Sequence, residues 1–556
     1  IFLIFSVLES CLTPRKRIRI TQVCLRLKGK RKVKNESLSS ENLMNANSNP
    51  TNSNMSIQSI QLPNEIASEI TKEDASDSQS NSQTSPLAQF ISTGELSQAN
   101  LTAEEAAEQK ASREFATDKI GRGVYVSTYG CQMNVNDSER MTTLLEMANF
   151  TPVTSPDQAD LIIINSCSVR EKPVHKVYSE VGTYRKMKQK NPNLKIGVGG
   201  CVGQQEKEKL MKTQPMIDFV FGTDSIDQLP SLVARSFEGE RKIVSAKFEH
   251  RAPYHVETLV RNPGVATFVN ITKGCDNFCT FCVVPYTRGR EKSRPRAHVL
   301  DDIRTLIKRG VKEITLLGQN VNSYTAETGA DFADLLKTVA LETDIERIRF
   351  TTSHPKDFNE KLVEVMAAHQ NKICDYIHLP FQSGNSRILE MMNRGYTREE
   401  YLQKIAMIKR IMPNVSLSSD IIVGFPTETE EEFLETMSLV DEVGFETIFA
   451  FKYSPRPFTK AARFEGHLAE DVKSERLNRL FDYHDPMATK LVSKFEGQNL
   501  QVLVETFDST RGSLSGRTTQ NKLVHFIGSE NLVGQTVPVK IIKAFPAVFR
   551  GELLQS

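Results

Sequence analysis

Phe268-Val-Asn-Ile-Thr-Lys-Gly-Cys275-Asp-Asn-Phe-Cys279-Thr-Phe-Cys282 is an apolar strand that runs into a loop with three cysteines. The spacing is Cys-x3-Cys-x2-Cys. Two short intervals in one loop let three thiolates reach three corners of a [4Fe–4S] cube, and the fourth iron is left without a protein ligand. A structural zinc site asks for four ligands, usually in Cys-x2-Cys pairs, and three unrelated core cysteines would have no reason to share a loop.

Outward from this loop the chain alternates strands with helical stretches. Strands are expected at Phe268–Ile271, Glu313–Leu317, Ile345–Phe350, Tyr376–Leu379, Ser416–Val423 and Thr447–Phe451. Six strand–helix units predict an α/β fold, a (βα)6 open barrel with its chemistry on the loops after the strands. Upstream, Gly123–Tyr129, Leu161–Ile164 and Lys195–Val198 read as strands of a separate parallel sheet. Cys131, Cys167 and Cys201 each follow one of them, and ligands collect at the carboxyl ends of parallel strands. Any one of these could be a core cysteine; three at matching positions point to a second cluster. Downstream, from about Lys494, short strands with turn residues predict a small all-β barrel. Cys374, Cys11 and Cys24 have no partner at ligand spacing.

The boundaries that follow are a polar tail or upstream extension over 1–120, an N-terminal parallel-sheet domain over 121–238, a core over 261–493 and the terminal barrel over 494–556. The chain has 556 residues, 39% hydrophobic and 25% charged, with a net charge of +2. That composition suits a globular protein with a sizeable core. The charge does not itself announce nucleic acid, so any basic surface must be local. Nine cysteines are too few and scattered for a disulfide scaffold. With no apolar run long enough to span a bilayer, a cytoplasmic monomer without membrane contact is expected. The tail is basic near its start and then rich in Ser, Asn and Gln, a composition that resists folding. It also suits an organelle transit peptide, which would change the location.

The cysteine loop has the radical-SAM signature, in which the open iron binds S-adenosylmethionine. More widely, Thr128-Tyr-Gly-Cys-Gln-Met-Asn134, Asn165-Ser-Cys-Ser-Val-Arg-Glu-Lys172, Gly197-Val-Gly-Gly-Cys201, Lys273–Glu291, Leu316–Tyr324 and His378–Gly384 resemble the methylthiotransferase family, and within it the tRNA-2-methylthio-N6-dimethylallyladenosine synthase branch. The resemblance runs from about Arg122 to the C-terminus. It implies two [4Fe–4S] clusters and two uses of S-adenosylmethionine, one as methyl donor and one as radical source. It also implies a tRNA substrate prenylated at adenosine 37, a product methylthiolated at C2, and external electron and sulfur donors. The terminal domain resembles TRAM, an RNA-binding barrel. Phe458 and Lys460 depart from the family pattern, which usually has Gly and a small residue or Pro there. Rival readings are the same chemistry on threonylcarbamoyl-adenosine tRNA or a ribosomal protein, or a non-catalytic RNA-binding metalloprotein.

Gly424, in Asp420-Ile-Ile-Val-Gly-Phe-Pro426, resembles the element that lines the S-adenosylmethionine adenine. Gln319, Asn320 and Ser353 are cofactor candidates by their place at strand ends; His354 beside them fits a structural role equally well. Arg288, Arg290, Lys292, Arg294 and Arg296 crowd the sequence after the cysteines. Together with Arg517 and Lys522 of the last domain, Arg288, Arg290 and Arg294 are the candidate RNA contacts.

Overall fold

A computed structural model describes residues 121–169, 171–248 and 263–554. The tail and most of the stretch between the first domain and the core lie outside the described residues.

The first domain is a six-stranded parallel sheet in the order β2-β1-β3-β4-β5-β6. The strands are β1 (Arg122–Tyr129), β2 (Phe150–Pro152), β3 (Leu161–Ser166), β4 (Lys195–Gly199), β5 (Phe219–Phe221) and β6 (Ile243–Ser245). β3 is buried along its whole length because helices cover both faces, so it reads as an unbroken apolar run. Three strands, β2, β5 and β6, were not expected. Each has three residues, too few to show a period. β6 pairs with β5 and carries the domain past the boundary at 238.

The core holds β7 (Ala266–Asn270), the short pair β8 (Thr272–Lys273) and β9 (Lys292–Ser293), then β10 (Glu313–Leu317), β11 (Arg347–Phe350), β12 (Tyr376–His378), β13 (Ser416–Val423) and β14 (Thr447–Lys452). β7-β10-β11 and β12-β13-β14 are two parallel three-stranded sheets, linked by a bridge between Ile348 and Ile373. This is the expected six-strand open barrel in sequential order. One apolar cluster, including Ile314, Leu316, Ile348 and Ile421, fills it. Thr397 with Glu400, and Thr429 with Glu432, form capping boxes that start two outer helices. No helix among the described residues is long and apolar enough to cross a membrane.

The last domain is a closed barrel of five strands in the order β15-β16-β17-β19-β18. They are β15 (Asn499–Asp508), β16 (Ser513–Arg517), β17 (Leu523–Ile527), β18 (Thr536–Ala544) and β19 (Phe549–Leu553). Its 517–522 turn lies against the amino ends of the core strands. Arg347 donates to the Arg517 carbonyl at 2.7 Å, and Arg349 to the Thr518 and Thr519 carbonyls at 2.6 and 2.9 Å. Arg349 also pairs with Glu313 at 2.8 Å, Gln520 donates to Asp375, and Lys522 pairs with Glu446 at 2.7 Å. The turn therefore closes the floor of the open barrel with charge-assisted bonds, which are the stronger kind.

Candidate functional site

Cys131, Cys167 and Cys201 follow β1, β3 and β4 and meet at the carboxyl edge of the first sheet. The Cys167 N–H donates to the Tyr129 carbonyl at 2.8 Å, which fixes one cysteine loop on the other. Gly130, at φ +141°, makes this approach possible, since a Cβ there would lie 2.4 Å from the Cys167 Cβ. Cys167 sits in hydrogen-bonding contact with both other thiols. That contact pulls the Cys131 thiol down to about 7 and the Cys201 thiol down to about 6, with buried Arg288 adding to both effects. The middle thiol, Cys167, is pushed up by the same contacts. Beneath them Asn134, Asn165 and Ser138 form a buried network, with Asn165 Nδ2 2.8 Å from the Asn134 carbonyl and 2.9 Å from Ser138 Oγ.

Cys275, Cys279 and Cys282 lie on the loop after β7 and β8, each half-buried. The Cys282 N–H donates to the Cys279 carbonyl at 2.9 Å, curling the loop so that its thiols gather. Burial pushes the Cys275 thiol up to about 11 and Cys282 up to about 12. A buried guanidinium attends this set too: Arg394 Nη1 is 3.4 Å from Cys279 Sγ, and its Nη2 donates to the Pro380 carbonyl at 2.8 Å. Among the described residues no three His, Cys, Asp or Glu side chains are grouped as donors to a single metal ion. The fit to iron–sulfur clusters rests on donor chemistry. Each set offers three unoxidised thiols, and each has one buried arginine to balance thiolate charge.

Arg394 escaped the sequence reading because nothing in Asn393-Arg-Gly-Tyr396 marks it as a neighbour of a loop more than 100 residues upstream. Arg288, read in the sequence as an RNA contact, instead pairs with Asp137 across 151 residues at 2.6 Å. Asp137 is on the helix that starts just after Cys131, so Arg288, six residues past Cys282, ties the two cysteine sites together. Thr223 Oγ1, donating to the Thr287 carbonyl at 2.9 Å, supports the same junction.

The loops after β10 and β11 carry polar atoms that are buried without partners: Gln319 Nε2, Asn320 Oδ1, Ser353 Oγ and His354 Nε2. A buried polar group left unpaired costs about 1–3 kcal/mol, so a cluster of four asks for a polar ligand or water. Gln319 also accepts from the Gly274 N–H, beside Cys275, which places this cluster next to the second thiol set. His354 Nδ1 accepts from the Lys356 N–H at 3.2 Å. Its proton is therefore on Nε2, and the ring offers a donor to a ligand. Gln319, Asn320 and Ser353 thus lie on two neighbouring strand-end loops, with Gln319 reaching the second cysteine loop. Gly424 is different: its N–H is taken by Glu428 Oε2 at 2.6 Å, and Lys473 fills the space where a Cβ would be. Its positive φ serves the turn and packing of its own chain.

Burial, reinforced by Arg394 and Lys356, pulls the His354 pKa down to about 2. The folded state thus excludes the charged ring, so stability present above pH 6.5 is lost as pH falls below it. We expect the pH–stability curve of the wild type to fall more steeply between pH 6 and 4 than that of His354→Gln. The difference should approach about 1.4 kcal/mol per pH unit in denaturant unfolding, and equal slopes would contradict it.

Of the candidate RNA contacts Arg290 is the exposed one, and it too is paired, bidentately with Asp276 at 2.7 and 3.1 Å. Arg288 and Arg294 are buried at 5% and 1% exposure. Arg288 pairs with Asp137, and Arg294 with Asp302 at 2.7 Å and the Asn270 carbonyl at 3.0 Å. Lys522 is 6% exposed and pairs with Glu446, and half-buried Arg517 lies 3.5 Å from Glu505. Arg288 and Lys522 therefore join domains, Arg294 braces the core from within, and none of the three presents a face to a phosphate, which corrects the expectation from their charge.

Residues 123–222 match the family described as Uncharacterized protein family UPF0004, residues 269–440 the Radical SAM superfamily and residues 493–554 the TRAM domain. A tRNA-2-methylthio-N(6)-dimethylallyladenosine synthase of Bdellovibrio bacteriovorus is 74% identical over 435 residues, covering 78% of this chain and 96% of the relative. The protein of that name from Aquifex aeolicus is 43% identical over 443 residues, 78% of this chain and 99% of its own. A solved radical S-adenosylmethionine methyltransferase from Kitasatospora setae superposes with a TM-score of 0.47 at 15% identity, over 70% of this chain and 79% of the other. With three matching domains in order and close relatives covered almost end to end, the chain belongs to the tRNA-2-methylthio-N(6)-dimethylallyladenosine synthase family of radical-SAM tRNA methylthiotransferases.

Proposed function

We propose that this enzyme methylthiolates C2 of N6-dimethylallyladenosine at position 37 of tRNA. In this reading it uses two molecules of S-adenosylmethionine and a sulfur held at an auxiliary cluster on Cys131, Cys167 and Cys201. The reading is carried by one observation: two separate three-cysteine sets, each at the carboxyl edge of its own parallel sheet, joined through Arg288 and Asp137. One cluster would suffice for radical chemistry alone; a second set with no fourth protein ligand has room for an exchangeable sulfur.

S-adenosylmethionine, when bound, supplies a transferable methyl group and a hydrogen-abstracting radical. The chain's own residues then have distinct tasks. Cys275, Cys279 and Cys282 would hold one cluster, with Arg394 beside Cys279. Gln319, Asn320, Ser353 and the Nε2–H of His354 would orient the cofactor. Arg288 favours thiolates at Cys131 and Cys201 and holds the two sites in register. Arg290, outside, would meet the RNA backbone. The electron and sulfur donors are external.

The test is anaerobic turnover of the reconstituted enzyme with reductant, a sulfur source and tRNA carrying either dimethylallyl- or threonylcarbamoyl-adenosine. Nucleoside mass spectrometry should find the methylthio group on the prenylated base alone. Product on the threonylcarbamoyl base, or on neither, would sink the assignment.

A further inference from the structure

Five large aromatic side chains among the described residues are exposed, and three of them, Phe278, Tyr286 and Phe458, lie on or against the second cysteine loop. Phe278 is between Cys275 and Cys279. Tyr286 is on the Val284–Thr287 helix that follows Cys282. Phe458 comes from the loop after β14, which is fastened to the cysteine loop by the Ala461 N–H donating to the Thr280 carbonyl at 2.9 Å. The rings of Tyr286 and Phe458 face one another at 6.1 Å with 37° between their planes. Both remain open to solvent, at 43% and 57%.

Phe458 is held there against its backbone preference. The Thr459 N–H donates to the Arg456 carbonyl at 3.3 Å and the Thr459 hydroxyl to the same carbonyl at 2.8 Å. Phe458 has φ +70° after Pro457. Pro followed by a residue at positive φ is the pattern of a type II turn, whose third position asks for Gly. A bulky aromatic there is a true outlier, and such strain persists where it serves a function. Nothing in packing explains it, since the ring is more than half exposed.

We propose that Tyr286 and Phe458 form a stacking clamp for an unstacked base of the tRNA anticodon loop, at the mouth of the radical site. The inference rests on the tRNA reading above and adds how this chain grips its substrate. Every base has a π-face, and single-stranded RNA is commonly held by stacking on aromatic rings beside cations. The cations are present: Arg290 lies over the Phe278 ring at 5.2 Å, and Lys460 and Arg463 are exposed on the loop that carries Phe458. A base stacked on the open faces of this ring pair would be anchored within a few residues of Cys282, where a neighbouring adenosine has to reach.

The experiment measures binding of a synthetic anticodon stem-loop, with and without the dimethylallyl group, by fluorescence anisotropy on the reconstituted full chain. Tyr286→Ala and Phe458→Ala should each weaken binding roughly tenfold or more, equally for both RNAs, with the salt dependence unchanged because no phosphate contact is lost. Tyr286→Phe should bind as wild type. Phe458→Gly suits the turn, so it should keep the fold and show the same loss, which separates stacking from misfolding. Wild-type affinity in Phe458→Gly and Tyr286→Ala overturns the clamp while leaving the function intact. A loss confined to the prenylated RNA also overturns it, since the rings would then hold the alkyl group and not a base. No binding by the wild type would overturn the tRNA reading and the clamp together.

Discussion

Changing Cys275 to Ala should bring 5′-deoxyadenosine production down to the level of a no-enzyme control. The residue is one of three thiols on a half-buried loop, and a cube left with two of its three cysteine ligands would not be held with its open iron in place. The substitution removes one sulfur from a loop held by backbone bonds of its neighbours, so the fold should survive. Circular dichroism and the melting transition check that; mass spectrometry of the small-molecule products checks the rest. Cofactor cleavage near the wild-type rate would mean this loop does not carry the radical chemistry.

Cys167→Ala should separate the two halves of the reaction. Cys167 is the middle thiol of the first set and touches both others, so its loss leaves two sulfurs that no longer share a partner. Iron content should fall from about eight per chain to about four, one cube having gone. 5′-Deoxyadenosine should still form, because the second set and the polar atoms beside it are untouched. Methylthiolated nucleoside should be absent. The Gly130–Cys167 contact makes Ala the suitable replacement: it keeps the Cβ against which the Gly130 turn is packed. Retention of all the iron, or methylthio product from the folded variant, would remove the sulfur-site role from Cys131, Cys167 and Cys201.

The two cysteine groupings were legible for different reasons: Cys275, Cys279 and Cys282 share one loop, and Cys131, Cys167 and Cys201 each follow a strand that could be recognised. So were the long strands, whose buried faces leave runs such as Leu161-Ile-Ile-Ile164. The three-residue strands β2, β5 and β6 were not, since their place comes from neighbours in the sheet. The basic residues misled for a definite reason. A sequence shows Arg288, Arg294 and Lys522 as charges, but the carboxylates that claim them, Asp137, Asp302 and Glu446, become adjacent only on folding. The position of Gln319, Asn320 and Ser353 at strand ends was legible because it is topological: they follow the neighbouring strands β10 and β11. Gly424 shows the limit: its segment was recognisable, but that Lys473 fills the space beside it was not.

The 517–522 turn has a practical bearing on how such an enzyme can be dissected. A terminal RNA-binding barrel invites removal, with the shortened chain then assayed for what the barrel did. Here the cut would uncover Arg349 and Glu313 and strip Glu446 of Lys522, leaving charged groups at the bottom of the core with water where a tailored lid had been. The cut breaks the Lys522–Glu446 pair and removes the Thr518 and Thr519 carbonyls that cap Arg349. A truncated enzyme that fails on tRNA would then report a collapsed foundation as readily as a lost grip. Point substitutions on the barrel's outer strands, away from its keyed turn, are the cleaner instrument.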